Sequence, residues 1–275
     1  MTQQPAIQPM EQFLIHKIVQ GPVFNIGGLS VDMSITNSVV SMIAGALILV
    51  TFFLLTAKRE IVPNRGQALA ESIYNIVDRV LVGPIIGHEG RPYVPYILSI
   101  FLIILVLNLM SVVFAIFNLA GIDMAFAVTS QLAITGTLAV LTFFSVFILG
   151  FIKHGPQFVS LFWVPGMGVF GGAAMVIIEM ISYFVRPVTL ALRLFGNMLG
   201  GHVVMSLFGS FVVALGILAL SGGIAALAFV PSALSFTLIV GLTGLELVVA
   251  ILQAFVFAAL ATVYLNEVVN FGHGH

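Results

Sequence analysis

Residues 172–220 read GAAMVIIEMISYFVRPVTLALRLFGNMLGGHVVMSLFGSFVVALGILAL, and this stretch decides the fold. As one α-helix it would extend about 70 Å, whereas the hydrocarbon core of a bilayer is about 30 Å thick. Such a helix must be strongly tilted, bent or broken. Pro187 offers a bend, because it cannot donate a hydrogen bond to the carbonyl of Tyr183. Four residues of the stretch are acidic, basic or histidine, namely Glu179, Arg186, Arg193 and His202.

The composition of the whole chain is that of an integral membrane protein. Of its 275 residues only 7% are charged and 60% are apolar, against about 25% charged in an ordinary soluble domain. The mean hydropathy is +1.21. These values exclude a water-soluble globular domain and a disordered chain, and a net charge of −1 excludes a nucleic-acid binder, which needs a basic excess. Because cysteine is absent, disulfides and cysteine metal sites are excluded, and we expect neither a metal nor a cofactor.

The apolar runs predict helices, because they are longer than a barrel strand of about ten residues and do not alternate. We expect an all-α polytopic membrane protein whose last two crossing helices are long, strongly tilted and paired as an antiparallel hairpin. The segment 66–86 predicts an amphipathic helix on the membrane surface, since its apolar side chains recur at helical spacing. The predicted spans are 37–57, 93–119, 126–152, 172–220 and 232–268, within one membrane domain, 37–275.

The N-terminal residues 1–36 are mildly polar and are expected on the non-cytoplasmic side. Apolar and polar residues alternate around Gly27 and Gly28, which indicates a small β-hairpin, although an irregular tail fits the pattern equally well.

Basic residues predict the orientation of the chain. If the loop at 58–65 is cytoplasmic, six basic residues lie on that side, against Lys17 alone on the other. The N-terminus is then outside and the C-terminus cytoplasmic, and the pattern favours a bacterial plasma (inner) membrane over a mitochondrial inner membrane. The six residues are Lys58, Arg59, Arg65, Arg79, Arg91 and Lys153.

The angular positions of the polar residues in the long helices separate them into two groups. At about 100° per residue, Arg186, Arg193 and Asn197 lie within roughly 40° of Glu179, whereas His202 lies on the opposite face. On the last helix Glu246 and Gln253 are seven residues apart and share a face. Since the turn near 221–231 makes the two helices antiparallel, His202 and Glu246 are expected at similar depth, where they can touch.

These residue types suggest an interrupted ion path. Arginine does not release its proton in proteins, whereas histidine and glutamate exchange protons near neutral pH. Arg193 would therefore act as an electrostatic gate between groups that relay protons. Structural alternatives remain open: Arg193 can snorkel to the interface, Glu179 can be a hydrogen-bonded buried carboxyl, and His202 with Glu246 can be a structural pair. Asn197 and Gln253 can equally be ordinary interhelical hydrogen-bonding residues.

Several motifs resemble the a subunit of F-type ATP synthase. The run PVTLALRLFGNMLGGH, from Pro187 to His202, is similar to the signature of that family. LQAFVF at 252–257, followed by TVYL at 262–265, resembles its last helix, and the motif Asn108-Leu-Met110 resembles its second span. The resemblance covers the chain from about residue 10.

The resemblance implies a stator that is not catalytic by itself and that passes protons through two offset half-channels to the carboxylates of a rotating ring of c subunits. It implies that Arg193 meets the rotor carboxylate and that Gln253 packs near Arg193. Glu179 would belong to the cytoplasmic half-channel, and His202, Glu246 and Asn197 to the outer half-channel or rotor face. Further implied partners are b-type peripheral stalk subunits, F1 ATPase indirectly, and membrane lipid.

One detail of the resemblance supports the contact between His202 and Glu246. In one bacterial branch of the family the two residue types are exchanged between these positions, so the same chemistry recurs with its partners swapped.

The competing interpretation is a stand-alone ion-coupled secondary transporter or channel. Such folds usually carry internal repeats or broken helix pairs, and neither is visible in the sequence.

Overall fold

The computed structural model describes residues 17–26, 29–56, 62–119, 128–162 and 169–270. Within these ranges the α-helices are α1 (Asn37–Thr56), α2 (Arg65–Ile76), α3 (Gly83–Ile86), α4 (Val94–Leu119), α5 (Leu132–His154), α6 (Val169–Leu220) and α7 (Phe229–Val269). The predicted loop residues Lys58 and Arg59 lie outside the described residues.

Five helices of the described ranges are long and apolar enough to cross a membrane, and they are α1, α4, α5, α6 and α7. The expectation of an all-α polytopic protein is therefore confirmed. The helix α5 begins at Leu132, later than the predicted 126, because Val128–Ser130 form a 3₁₀ turn. The hydroxyl of Thr129, which is fully buried, lies 3.2 Å from that of Ser111 and holds this turn in place.

The helix α6 runs unbroken for 52 residues with Pro187 inside it. At about 1.5 Å per residue it is close to 78 Å long, more than twice the thickness of the hydrocarbon core. Because the helix is not broken, tilting or bending must accommodate its length in the bilayer.

The chain divides into two compact units. The first unit comprises Met1–Ile48, Leu105–Gln131 and Phe195–Leu252, and the second comprises Leu49–Ile104, Leu132–Leu194 and Gln253–His275. The helices α1, α4, α6 and α7 each contribute residues to both units.

In the first unit α6 and α7 pack as an antiparallel pair. The hydroxyl of Ser232 donates to the carbonyl of Val212 at 3.0 Å, and Thr243 Oγ1 lies 3.5 Å from Met205 Sδ. The contact positions fall along α6 as they rise along α7, which defines the antiparallel direction. The helix α4 joins this pair through the fully buried Asn108, whose amide donates to the carbonyl of Ala250 at 3.2 Å.

The second unit has an aromatic core. Its centre is Tyr183, whose ring centroid lies 5.1 Å from that of Phe143 and 5.8 Å from that of Tyr264. The end of α7 is fastened beside this core, because Lys153 donates to the carbonyl of Val269 at 3.0 Å. His154 also contacts a carbonyl oxygen there, at 2.7 Å. The ammonium of Lys153 complements the dipole of the helix C-terminus and one of its free carbonyl groups.

The predicted surface helix at 66–86 is formed in three parts. Asn64 caps α2, in which no residue is buried. A π-helical segment, Val77–Val82, follows and leads into α3. Pro84 accounts for the change of hydrogen-bond pattern, because it supplies no N–H and its ring clashes with the preceding turn. Packing begins in the second half, where the buried side chains are Val77, Leu81, Val82 and Ile86.

The predicted hairpin around residues 27–28 is present. The strands Val23–Ile26 and Leu29–Asp32 pair antiparallel, and a second short pair, Lys17–Val19 with Ile35–Thr36, lies outside the prediction. Lys17 donates to the carboxylate of Asp32. This bond, together with bonds from Ser34, lowers the pKa of Asp32 to about 2.

Candidate functional site

His202 and Glu246 lie side by side in the first unit. The imidazole Nε2 of His202 is 3.7 Å from Oε1 of Glu246, and each side chain is 4% exposed. The contact expected from the antiparallel hairpin is therefore present. Neither carboxylate oxygen of Glu246 accepts a hydrogen bond from the residues described. A histidine and a carboxylate at this distance can share or exchange a proton after a small side-chain movement.

Gly201 makes room for the carboxylate of Glu246. A Cβ atom added at Gly201 would lie 2.7 Å from Oε1 of Glu246, which is closer than such atoms approach, and 3.1 Å from Cδ, which is a tight contact. This contact of Gly201 was not among the predictions from the sequence. The signal that could have indicated it is the pair of glycines, Gly200 and Gly201, directly before His202.

Glu179 belongs to a different cluster, in the second unit. Its carboxylate lies 3.6 Å from the guanidinium of Arg186, which also donates a hydrogen bond to Glu267 at 3.0 Å. Glu267 was missed by the sequence analysis. It follows Glu246 and Gln253 at multiples of seven residues, so the helical spacing that singled out those two residues also indicated Glu267.

Arg193, also in the second unit, is exposed on α6, whereas its neighbours Leu190 and Leu194 are buried. Among the described residues none forms an ion pair or a hydrogen bond with Arg193. Its guanidinium therefore points away from the packed side of the helix. A permanent cation in a membrane-crossing helix is unfavourable unless a partner outside this chain or water compensates it.

In the first unit Asn197 is exposed on α6, while Met198 beside it is fully buried. Gly196 and Gly200 flank Asn197, and a Cβ added to either would have no neighbour within 4 Å. This part of α6 thus presents an open surface of small side chains, of the kind that permits close approach of another helix.

Gln253, in the second unit, is buried on α7, with 4% exposure. The structure thus brings together His202 with Glu246, and Glu179 with Arg186, while Arg193 and Asn197 are exposed and Gln253 is buried.

Comparison with known proteins identifies the family. A family model described as ATP synthase A chain matches residues 38–266, which include all six candidate residues. The chain belongs to the ATP synthase A chain family.

Its relatives in this family match over nearly their whole length. A protein of Pelagibacter ubique named ATP synthase subunit a is 39% identical over 98% of this chain and 100% of its own. Proteins of the same name from Azorhizobium caulinodans and Rhodopseudomonas palustris are 39% and 38% identical, over 97% and 98% of this chain and 99% and 100% of their own. Together with the five apolar helices, these relatives identify a multi-pass bacterial membrane protein.

The close contact at Gly201 leads to a first prediction. In Gly201→Ala the added methyl group must displace the Glu246 carboxylate, which costs about 1–3 kcal/mol. At least about fivefold less of the protein should then hold the carboxylate in its present position. We expect a similar loss of proton pumping, measured by fluorescence quenching in inverted membrane vesicles.

The matched control is Gly241→Ala on α7, where an added Cβ meets nothing within 4 Å. Both changes improve helix propensity by about 1 kcal/mol, so a difference between them reports on the contact alone. Equal pumping by the two variants would show that the position of Glu246 is not critical.

Proposed function

We propose that this chain is the membrane stator of a rotary ATP synthase and passes protons to and from a rotor through two offset half-channels. The relatives named ATP synthase subunit a support this function. The observation that carries it is Arg193, an exposed cation in a membrane-crossing helix without a partner among the described residues. A rotor carboxylate that comes to Arg193 would supply the missing negative charge.

The chemistry of Arg193 suits a barrier between two half-channels. A guanidinium stays protonated, so it attracts an ionised carboxylate but cannot pass a proton on to it. Protons must then enter and leave the rotor carboxylate on either side of Arg193 and cannot leak past it. Asn197 and the small residues beside it would form the adjoining rotor surface, and Gln253 would pack near Arg193.

The pair His202 and Glu246 would handle protons in the outer half-channel, and Glu179 in the cytoplasmic one. Burial of the pair, at 4% exposure each, keeps bulk water away from the transfer step. The 40% exposure of the Glu179 side chain suits a group that exchanges protons with water. We propose that 37–275 act as one membrane domain, because four helices contribute to both compact units.

The implied partners are a ring of c subunits, b-type stalk subunits and, indirectly, the soluble F1 ATPase. We propose that the chain is not catalytic by itself, since the relatives named after the synthase match it as one membrane subunit. Nothing in the comparisons supports the alternative of a stand-alone transporter.

The test of the proposed function is the replacement of Arg193. Arg193→Ala should reduce ATP synthesis in inverted vesicles to background, because nothing then attracts the rotor carboxylate. Arg193→Lys should fail as well, since an ammonium lacks the planar fork and can lose its proton. Assembly is checked by co-purification with the small hairpin rotor protein and the soluble ATPase.

Arg79→Ala is the control for loss of a positive charge, because Arg79 is exposed in the π-helical segment outside the predicted spans. It should leave ATP synthesis unchanged. Near-normal synthesis by assembled Arg193→Lys would contradict the proposed role of Arg193.

Exchange of His202 and Glu246 tests the pair. His202→Ala and Glu246→Ala should each lower proton flux at least about tenfold, since removing one member of a buried pair costs about 3–5 kcal/mol. The native side chains lie 3.7 Å apart. The double variant His202→Glu with Glu246→His restores one imidazole and one carboxylate at these two positions and should recover much of the flux. A double variant that assembles but pumps no better than the worse single variant would mean that the residues do not act as a pair.

We further propose that the N-terminus is outside the cell and the C-terminus in the cytoplasm, following the distribution of basic residues. Because the chain has no cysteine, single cysteines report position without background. Met33→Cys, at an exposed residue, should react with a membrane-impermeant maleimide in spheroplasts, whereas Glu71→Cys should react only in inverted vesicles. The reverse pattern would invert the topology.

A further inference from the structure

Two carboxylates of the second unit, Glu179 and Glu267, meet at the guanidinium of Arg186. Arg186 Nη1 donates to Glu267 at 3.0 Å, and Nη2 lies 3.6 Å from Glu179. The three side chains are 28–40% exposed within this chain, so the cluster is half-buried. The proposed function assigns a role to Glu179 but none to Arg186 or Glu267.

The charges of the cluster do not cancel. One guanidinium and two carboxylates carry a net charge of −1, which is unfavourable within a membrane-crossing segment. Uptake of one proton makes the cluster neutral, and uptake of a second would leave it positive. Two carboxylates that share one cation therefore leave room for one proton within the cluster.

The two carboxylates are held differently. Glu267 accepts a direct hydrogen bond from Arg186, and its side chain is 28% exposed. Glu179 is held only by charge at 3.6 Å, and its side chain is 40% exposed. The looser and more exposed carboxylate is the one that can accept a proton without breaking a hydrogen bond.

We propose that Arg186, Glu179 and Glu267 form a single proton-binding group of the cytoplasmic half-channel, with Arg186 as its positioning residue. This proposal rests on the proposed function. The proton is taken up from water by one of the two carboxylates, which becomes a neutral acid, while the other remains ionised against Arg186. Release returns the same proton and restores the charge of −1.

A buried tyrosine beside the cluster supports access of water. The guanidinium carbon of Arg186 lies 6.0 Å from the ring centre of Tyr264, which is 3% exposed. The hydroxyl of Tyr264 has no hydrogen-bond partner among the described residues. Since buried hydroxyl groups are normally satisfied, an ordered water at this position is expected, next to the proton-binding group.

The other titratable groups near the cluster come from the elements packed around it. Tyr183 lies on α6, and Lys153 and His154 lie at the end of α5. Lys153 and His154 contact carbonyl oxygens at the end of α7, at 3.0 and 2.7 Å, whereas the ion pairs of the two carboxylates are with Arg186. The charge balance of the group is thus set by Arg186, Glu179 and Glu267.

The proposal predicts opposite pH shifts for two substitutions. Glu267→Gln removes a negative neighbour, so Glu179 releases its proton more readily and the pH of half-maximal flux should fall. Arg186→Gln removes the cation, so the two carboxylates hold the proton more tightly and that pH should rise. Each shift should be about one pH unit. The measurement is ATP-driven proton pumping by the assembled complex in inverted vesicles, whose cytoplasmic side faces the buffer, over a range of buffer pH.

Further variants sharpen the test. Glu179→Gln should lower the flux and flatten its dependence on buffer pH, while Arg186→Lys should keep the wild-type profile. Glu89→Gln, at an exposed carboxylate outside the cluster, is the control and should change nothing. If Arg186→Gln does not assemble, Glu267→Gln and Arg186→Lys still decide between the outcomes.

Shifts in the same direction, or lower flux with an unchanged midpoint, would overturn the proposal and reduce the cluster to an ion pair between helices. The variant Arg193→Ala in the same vesicles separates this failure from failure of the proposed function. If Arg193→Ala is inactive and the midpoints do not move, only the inference about the cluster fails. If Arg193→Ala still synthesises ATP, the proposed function fails.

Discussion

A charge within the hydrocarbon layer requires a compensating partner, and this constraint organises the two long helices. Two clusters of side chains within the chain satisfy this constraint. His202 and Glu246 lie against each other in a buried contact, where one proton can be held between them, and Arg186 compensates two carboxylates at once. Arg193 is treated differently, because it is exposed and has no partner among the described residues. The charged groups of the two clusters therefore have partners within the chain. Arg193 is left exposed, and in our proposal its partner is a rotor carboxylate.

Packing around these charges depends on the smallest side chains. Gly201 admits the carboxylate of Glu246, and Gly150 admits the ring of Phe158, whose atoms would lie 2.6 Å from an added Cβ. Charged and amide groups then fasten the end of α7, where Lys153 binds a carbonyl of that helix and Asn270 binds the carbonyl of Ile86. The helix α7, which carries Glu246 and Glu267, is thus held at its C-terminal end.

The proposed function follows from a difference between the charged groups: some can exchange a proton and others cannot. An imidazole and a carboxylate in contact can take up and release one, whereas a guanidinium cannot. In the proposal, exchangeable groups in each unit, with a permanent cation between them in the sequence, would divide the proton path into two parts. Rotation would then be the only way for a bound proton to pass from one part to the other.

Much of the architecture could be predicted because hydrophobicity and helical spacing are local properties. The membrane class, the five crossing helices and the hairpin at residues 23–32 all follow from patterns within single segments. The contact of His202 with Glu246 could also be predicted, because one turn joins their helices and counting residues from that turn gives their depth. The delayed start of α5 could not, since it depends on a hydroxyl contact between Thr129 and Ser111.

The fold class, the family resemblance and a set of candidate residues could therefore be read from the sequence. Which of those candidate residues meet depended on the tertiary structure. Arg186 and Glu267 are 81 residues apart, and a helical pattern states the face on which a side chain lies but not what packs against that face. The same limit applies to Gly201, whose importance lies in a carboxylate on another helix. Which side chains meet depends on how segments that are distant in the sequence pack together. No single segment encodes this packing.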